Sequence, residues 1–156
     1  MLTKIDYCNL LLINIPEYLC NKLRLILNSC IRFVYDLKKR EHVTSYLAKA
    51  HILPTKFRLI YKSCATVFKI INGISPQYMN NVVEHYMNST AGPYFTRTQC
   101  DVMKLKPNYR NKFSQILVAN WNSLPITLRY STDQTKFMKD LKTHLFSCAF
   151  IENSIQ

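Results

Sequence analysis

Residues 53–73 read LPTKFRLIYKSCATVFKIING, and this stretch decides the fold class. Its large apolar residues recur at steps of three and four, which places them on one face of an α-helix. That face comprises Phe57, Ile60, Tyr61, Cys64, Val67, Phe68 and Ile71. Gly73 suits the left-handed position that ends a helix, and Pro76 forbids continuation. The stretch therefore predicts one long helix, apolar on one side and cationic on the other.

Helical periodicity of this kind continues along most of the chain, which has 156 residues and only two glycines. Helices are expected over residues 2–15, 16–35, 46–51, 76–86, 113–124 and 134–148. The scarcity of glycine and of strict alternation argues against a many-turned β-sandwich. We predict a mainly α fold, an irregular bundle of about five or six helices with a basic, poorly regular segment near 88–112.

The chain length suits one domain, within which four segments are predicted. Residues 1–87 form a helical segment that is partial at its N-terminus, because its first helix has no capping start. Residues 88–112 form a basic linker or loop region, 113–150 a C-terminal helical pair, and 151–156 a frayed tail. A short extended piece around Leu105 is limited to a sheet edge by Pro107.

Positive charge dominates the composition, with 21 Lys and Arg against 9 Asp and Glu, a formal charge of +12. Such an excess favours a polyanionic partner, nucleic acid first and an anionic membrane surface second. The alternatives are a protein that is basic without such a partner, or a piece of a larger protein whose remainder is acidic.

Nine cations are the candidates for phosphate contact. The first group is Lys22, Arg24, Arg32, Lys38, Lys39 and Arg40, and the second is Arg97, Arg110 and Lys112. The second group is interleaved with aromatic residues, an arrangement that suits single-stranded nucleic acid because bases stack on rings while phosphates pair with cations. The alternatives are a solvated loop for the second group and, for the run 38–40, complementation of a helix dipole.

Six cysteines are spread singly, and no signal peptide is expected because Lys4 and Asp6 interrupt the start. This pattern predicts reduced thiols in an intracellular protein, cytoplasmic or nuclear, rather than a disulfide framework. No apolar run approaches the roughly 20 residues that span a bilayer. No membrane-spanning segment is therefore expected, and of the two polyanionic partners we predict nucleic acid and not a membrane.

Local catalytic motifs are absent from the sequence, although the members of a hydrolase triad need not be adjacent. Two-metal nucleotidyl transfer needs converging carboxylates, whereas the acidic residues here are single and scattered. The four histidines are isolated, and neither a Cys-x-x-Cys pair nor a Gly-x-Ser-x-Gly elbow occurs. We expect no enzymatic activity from this chain on its own, no catalytic residues, no metal, no cofactor and no small-molecule substrate.

Several phrases, taken in order, resemble the C-terminal segment of jockey-like non-LTR retrotransposon polyproteins. They are IDYCN at 5–9, PEY at 16–18, LP at 53–54, NG at 72–73, SPQY at 75–78, WNSLP at 121–125 and FMKDLKTHLF at 137–146. Arg58, Arg97 and Arg110 also fit the pattern. Each phrase is weak alone, but together they span almost the whole chain.

The resemblance implies a helical segment downstream of a reverse transcriptase core, with RNA-directed DNA polymerase as the activity of the whole family protein. The polymerase carboxylates belong to a part that this chain does not contain. The expected function is therefore a non-catalytic remnant that binds RNA or DNA non-specifically through basic helix faces. The alternatives are a protein-interaction module that docks on the missing polymerase core, and a decayed fragment without selected activity.

Overall fold

The computed structural model describes residues 6, 7, 9–85, 104–108 and 111–150, without the side chains of residues 84 and 85. The described part is mainly helical, which confirms the predicted fold class. Its α-helices are α1 (Glu17–Val34), α2 (Thr44–Lys49), α3 (Thr55–Ile71), α4 (Lys112–Asn122), α5 (Ile126–Arg129) and α6 (Gln134–Phe150). Two 3-10 helices, Asn9–Asn14 and Gln77–Val82, and two short strands, β1 (Val83–His85) and β2 (Leu105–Pro107), complete it.

The chain divides into two compact units. The first comprises Met1–Lys62 with Lys142–Gln156, and the second comprises Ser63–Leu141. The central helix predicted from residues 53–73 is α3, and it contributes residues to both units, as α6 does. Most of the predicted basic segment 88–112 lies outside the described residues.

The core of the first unit lies between α1 and α2. Leu27 and Ile31 of α1 are buried with Val43 and Leu47. Partly buried side chains pack around them, namely Leu37, Tyr46, Ile52 and Phe150. Only a narrow strip of α1 is therefore buried, although the helix is 18 residues long.

The core of the second unit is aromatic. The ring of Phe137 stacks on Phe68, with centroids 4.3 Å apart and planes 14° from parallel. Trp121 packs against the same ring at 5.8 Å and is 1% exposed. Trp121 thus serves as a core anchor, in agreement with the apolar pattern of the predicted helix around it. Buried aliphatic neighbours from α4 and α6 include Leu117, Val118 and Leu141.

Side chains of α4 hold the two strands in place. β1 and β2 pair antiparallel, with Val83 opposite Pro107. The Ser114 hydroxyl donates to the Val82 carbonyl at 2.6 Å and accepts the Asn108 N–H at 2.9 Å. The Asn122 amide forms two further bonds with the Leu105 peptide group, at 3.0 and 3.1 Å. Side chains of α4, buried at Ser114 and half-buried at Asn122, therefore satisfy backbone groups that a two-stranded sheet leaves open.

Two predicted helices are wrong in type. Of the expected 76–86 helix, the described residues form the 3-10 helix Gln77–Val82 followed by β1, because Val83 is buried and its strand pairs with β2. Residues 9–14 of the expected 2–15 helix form a 3-10 helix instead. Pro16, which lacks an N–H, stands between that segment and α1 and occupies the N-cap position of α1.

Left-handed residues follow three of the helices. Gly73 has φ +67, and the Ile74 N–H donates to the Lys69 carbonyl, which confirms the predicted end of α3. Asp36 and His51 have φ +49 and +52 in equivalent positions after α1 and α2. The Leu37 and Ile52 N–H groups donate to the Arg32 and Leu47 carbonyls, five residues earlier. Two of these three ends are therefore built without glycine, at a conformational cost.

We expect His51→Gly to be more stable than His51→Ala by about 1 kcal/mol, because a β-carbon is disfavoured at positive φ. Both variants lose the His51–Phe146 ring contact at 6.1 Å, so the comparison isolates the backbone effect. Chemical denaturation followed by circular dichroism measures it. Equal stability of the two variants would show that the left-handed conformation carries no such cost.

Candidate nucleic-acid interface

A tight turn after α1 displays three of the nine predicted cations together. Lys38, Lys39 and Arg40 are consecutive and exposed. The turn begins with left-handed Asp36 and closes with a hydrogen bond from the Glu41 N–H to the Lys38 carbonyl at 3.1 Å. We call these three residues the basic turn.

Arg32 stabilises the backbone of the basic turn. Its guanidinium donates to the Lys38 carbonyl at 2.6 Å and to the Glu41 carbonyl at 2.8 Å. A planar guanidinium suits this task because its donors are fixed in a fork. The prediction that Arg32 contacts phosphate stays untested, but two of its donors already bind carbonyls of the turn.

The three side chains of the basic turn form no ion pair with carboxylates of the described residues. Among the described residues, no carboxylate oxygen lies within 4 Å of the side-chain nitrogens of Lys38, Lys39 or Arg40. The Glu41 carboxylate instead accepts the Lys38 backbone N–H at 3.3 Å. Three neighbouring cations that form no ion pair within the described part of the chain make a local site of positive potential.

Lys22 and Arg24 lie elsewhere on α1. They are exposed residues of its first half, roughly 15 Å (Lys22) and 12 Å (Arg24) along the helix axis from Arg32. Residues two apart on a helix point to different sides, so these two cations do not share a face. The Lys22 ammonium lies 5.8 Å from the centre of the Tyr18 ring, one turn away.

The second predicted group is described only at Lys112, which is exposed at the start of α4 in the second unit. Arg97 and Arg110 lie outside the described residues. Among the described candidates, the structure therefore brings Lys38, Lys39 and Arg40 together in one turn that Arg32 supports, whereas Lys22 and Arg24 lie elsewhere on α1.

Asp6 and Arg58 form an ion pair that sequence reasoning missed. The Arg58 guanidinium donates to both Asp6 carboxylate oxygens at 2.5 Å, and the two side chains are 18% and 26% exposed. Hydrogen bonding from Arg58 lowers the pKa of the Asp6 carboxyl below its ordinary value of 3.8. No short-range pattern links two residues that are 52 positions apart.

Groups that would support catalysis are not brought together in the described part of the chain. No three His, Cys, Asp or Glu side chains there are placed to hold a metal ion. Burial raises the pKa of the Cys64 thiol to about 12, so this cysteine is protonated and unreactive at neutral pH. The four described cysteines, Cys20, Cys30, Cys64 and Cys148, form no disulfide. Among the helices of the described residues, none combines the length and apolarity that a bilayer-spanning segment requires.

No family model, curated protein or solved structure matches this chain.

Proposed function

We propose that this chain is a non-catalytic accessory segment of a retroelement reverse transcriptase polyprotein, and that it binds RNA or DNA without sequence preference. The observation that carries the binding proposal is the basic turn. Its three cations are exposed and form no ion pair with carboxylates of the described residues. Hydrogen bonds from Arg32 stabilise the backbone that carries them. Contacts of cations with phosphate supply affinity but no sequence readout.

The retroelement proposal rests on the sequence resemblance. One phrase of that resemblance, residues 121–125, serves packing in this structure, which fits a non-catalytic segment. Trp121 is buried, Asn122 hydrogen-bonds the Leu105 peptide group, and Leu124 is 3% exposed. Pro125 occupies the N-cap position of α5. Each residue of the phrase except Ser123 thus serves the core, a strand contact or a helix start, which is expected of a motif that specifies folding rather than chemistry.

A salt titration with a triple variant tests the binding proposal. A fluorescent 20-nucleotide oligo(U) RNA should bind the chain with an affinity that falls steeply with salt, because binding releases counterions. Lys38→Ala, Lys39→Ala and Arg40→Ala together should reduce the slope of log K against log salt by about 2, at roughly 0.7 per lost single-strand phosphate contact. Fluorescence anisotropy at several salt concentrations measures both slopes.

The matched control removes three exposed lysines elsewhere, Lys56, Lys69 and Lys136, by substitution with alanine. It changes the net charge equally, so it separates a local site from general attraction. If both triple variants lower the slope alike, the basic turn is not the binding site. If the unchanged chain does not bind the RNA at low salt, the nucleic-acid proposal is wrong.

A protein-interaction module is the second candidate. It is favoured by large apolar side chains that α1 leaves exposed, among them Leu25 at 58% and Phe33 at 88%. Exposed apolar patches of this kind mark interaction surfaces. The resemblance suggests a polymerase core as the partner of this surface. Measurements of self-association distinguish that partner from a second copy of the chain.

A further inference from the structure

Helix α1 carries a second apolar face that the core does not use. Tyr18, Leu25, Ile26 and Phe33 are 62%, 58%, 43% and 88% exposed. Together with Lys22 and Ser29 they recur at three- and four-residue steps, so they share one side of the helix. We call these six residues the outer α1 face.

The centre of the outer α1 face is a shallow apolar groove. It is lined by Leu25, Ile26, Ser29, Cys30, Phe33 and Val34. The Ser29 hydroxyl donates to the Leu25 carbonyl at 2.9 Å, and the Cys30 thiol donates to the Ile26 carbonyl at 3.0 Å. Because both polar groups are satisfied within the helix, the groove can be covered without leaving a buried donor unpaired. The small Ser29 side chain also permits another helix to approach closely.

We propose that the outer α1 face binds a second copy of this chain, with the two α1 helices antiparallel and crossing at Ser29. A two-fold axis at Ser29 places residues opposite each other when their numbers sum to 58. Leu25 then faces Phe33 of the partner subunit, and the reverse contact follows by symmetry. The inference does not depend on nucleic-acid binding.

Charge selects the antiparallel arrangement. In the same register, Lys22 faces Asp36 of the partner subunit, just beyond the C-terminal end of its α1, where the helix dipole also favours a cation. A parallel pair would instead place the two Lys22 ammonium groups against each other. The face is therefore self-complementary in one orientation only.

The exposed area fits a weak dimer. Tyrosine and phenylalanine each bury about 150–250 Å² when fully covered. At their observed exposures, the four apolar side chains of the outer α1 face supply on the order of 500 Å² per subunit. Both subunits together reach about 1,000 Å², the low end for a specific interface. The high positive charge of each chain opposes association, so added salt should strengthen the dimer by screening that repulsion.

Sedimentation equilibrium of the full chain, at low and high salt and over a range of micromolar concentrations, tests this inference. The unchanged chain should approach twice its monomer mass as concentration rises, and more readily at high salt. Phe33→Glu should weaken association about 100-fold, since it buries a charge against Leu25 of the partner subunit, one helical turn from the crossing point. Leu25→Glu should behave alike. The control Ile126→Glu places the same charge at a 48%-exposed apolar site of the second unit and should leave association unchanged.

A charge exchange tests orientation. Lys22→Glu alone should weaken the dimer about fivefold, because the new carboxylate faces Asp36 of the partner subunit. Adding Asp36→Lys restores a pair of opposite charges and should restore the affinity. Circular dichroism confirms that each variant is folded. Restoration would support the antiparallel register, and continued weakening would reject it.

Three results would overturn the proposal. The first is a monomer mass at every concentration, whether or not the outer α1 face of that monomer binds a different polypeptide. The second is a dimer that Phe33→Glu and Leu25→Glu leave intact. The third is a monomer that binds phosphatidylcholine vesicles containing phosphatidylserine through Phe33. Because dimerisation should rise with salt and RNA binding should fall with it, failure of one proposal is separable from failure of the other.

Discussion

Phe137→Ala is expected to lower the free energy of unfolding by about 4 kcal/mol, the largest effect of any single substitution considered. Phe137 is fully buried and contacts two other rings, stacked on Phe68 and tilted toward Trp121. Removing its ring loses the transfer free energy of the side chain and leaves a cavity that rigid aromatic neighbours cannot fill.

Equilibrium denaturation provides the measurement, and Trp121 provides the probe. The chain has one tryptophan, so its fluorescence reports directly on the ring cluster of the second unit. Phe137→Leu retains most of the buried volume and should cost less than half as much. Tyr78→Ala removes a ring that is 75% exposed and should change stability by less than about 0.5 kcal/mol. A loss below about 1.5 kcal/mol for Phe137→Ala would mean that the cluster does not organise this core.

Asp6→Asn is expected to reduce stability by about 2 kcal/mol at pH 7, because Arg58 would lose its charged acceptor in a half-buried setting. Both carboxylate oxygens accept from Arg58, whereas an amide can offer only one acceptor to the guanidinium. Arg58→Lys should cost about 1 kcal/mol, since a lysine keeps the charge but not the two-pronged geometry.

The pH dependence identifies the cause of this loss. Hydrogen bonds from Arg58 lower the folded-state pKa of Asp6 below the value of 3.8 that the unfolded chain retains. The carboxylate therefore contributes its full stability above about pH 5 and loses it as pH falls through the folded-state pKa. The difference in unfolding free energy between the unchanged chain and Asp6→Asn should be constant from pH 7 to pH 5, then shrink below pH 4.

Asp140→Asn is the matched control for this experiment, since Asp140 is half-buried on α6 and belongs to no ion pair among the described residues. Because this substitution breaks no ion pair of the described residues, its stability difference from the unchanged chain should be small at pH 7. If Asp6→Asn gives a difference that does not diminish in acid, the Asp6–Arg58 pair is not the origin of its effect.

The sequence by itself determined the features that depend on neighbouring residues. The three- and four-residue spacing in 53–73 predicted α3, and Gly73 ends it in the left-handed conformation. The periodicity in 113–124 predicted a helix, and α4 lies there with Trp121 on its buried side. These predictions succeeded because helix periodicity and the freedom of glycine act over a few residues.

Other features depended on partners far away in the chain. Residues 83–85 became a strand because β2 and Ser114 satisfy the adjacent backbone. Asp36 and His51 adopt positive φ because the following residues enter the core of the first unit. The nine candidate cations could be named from the sequence, but their grouping could not. Only the bonds from Arg32 to the carbonyls of residues 38 and 41 show which of them share one rigid turn.

The outer α1 face illustrates the same division. The sequence predicted a helix over residues 16–35, and α1 is found there. Only the tertiary structure decided that Leu27 and Ile31 are buried while Leu25, Ile26 and Phe33 stay exposed. The physical reason is that periodicity defines which residues share a face, whereas burial depends on what packs against that face.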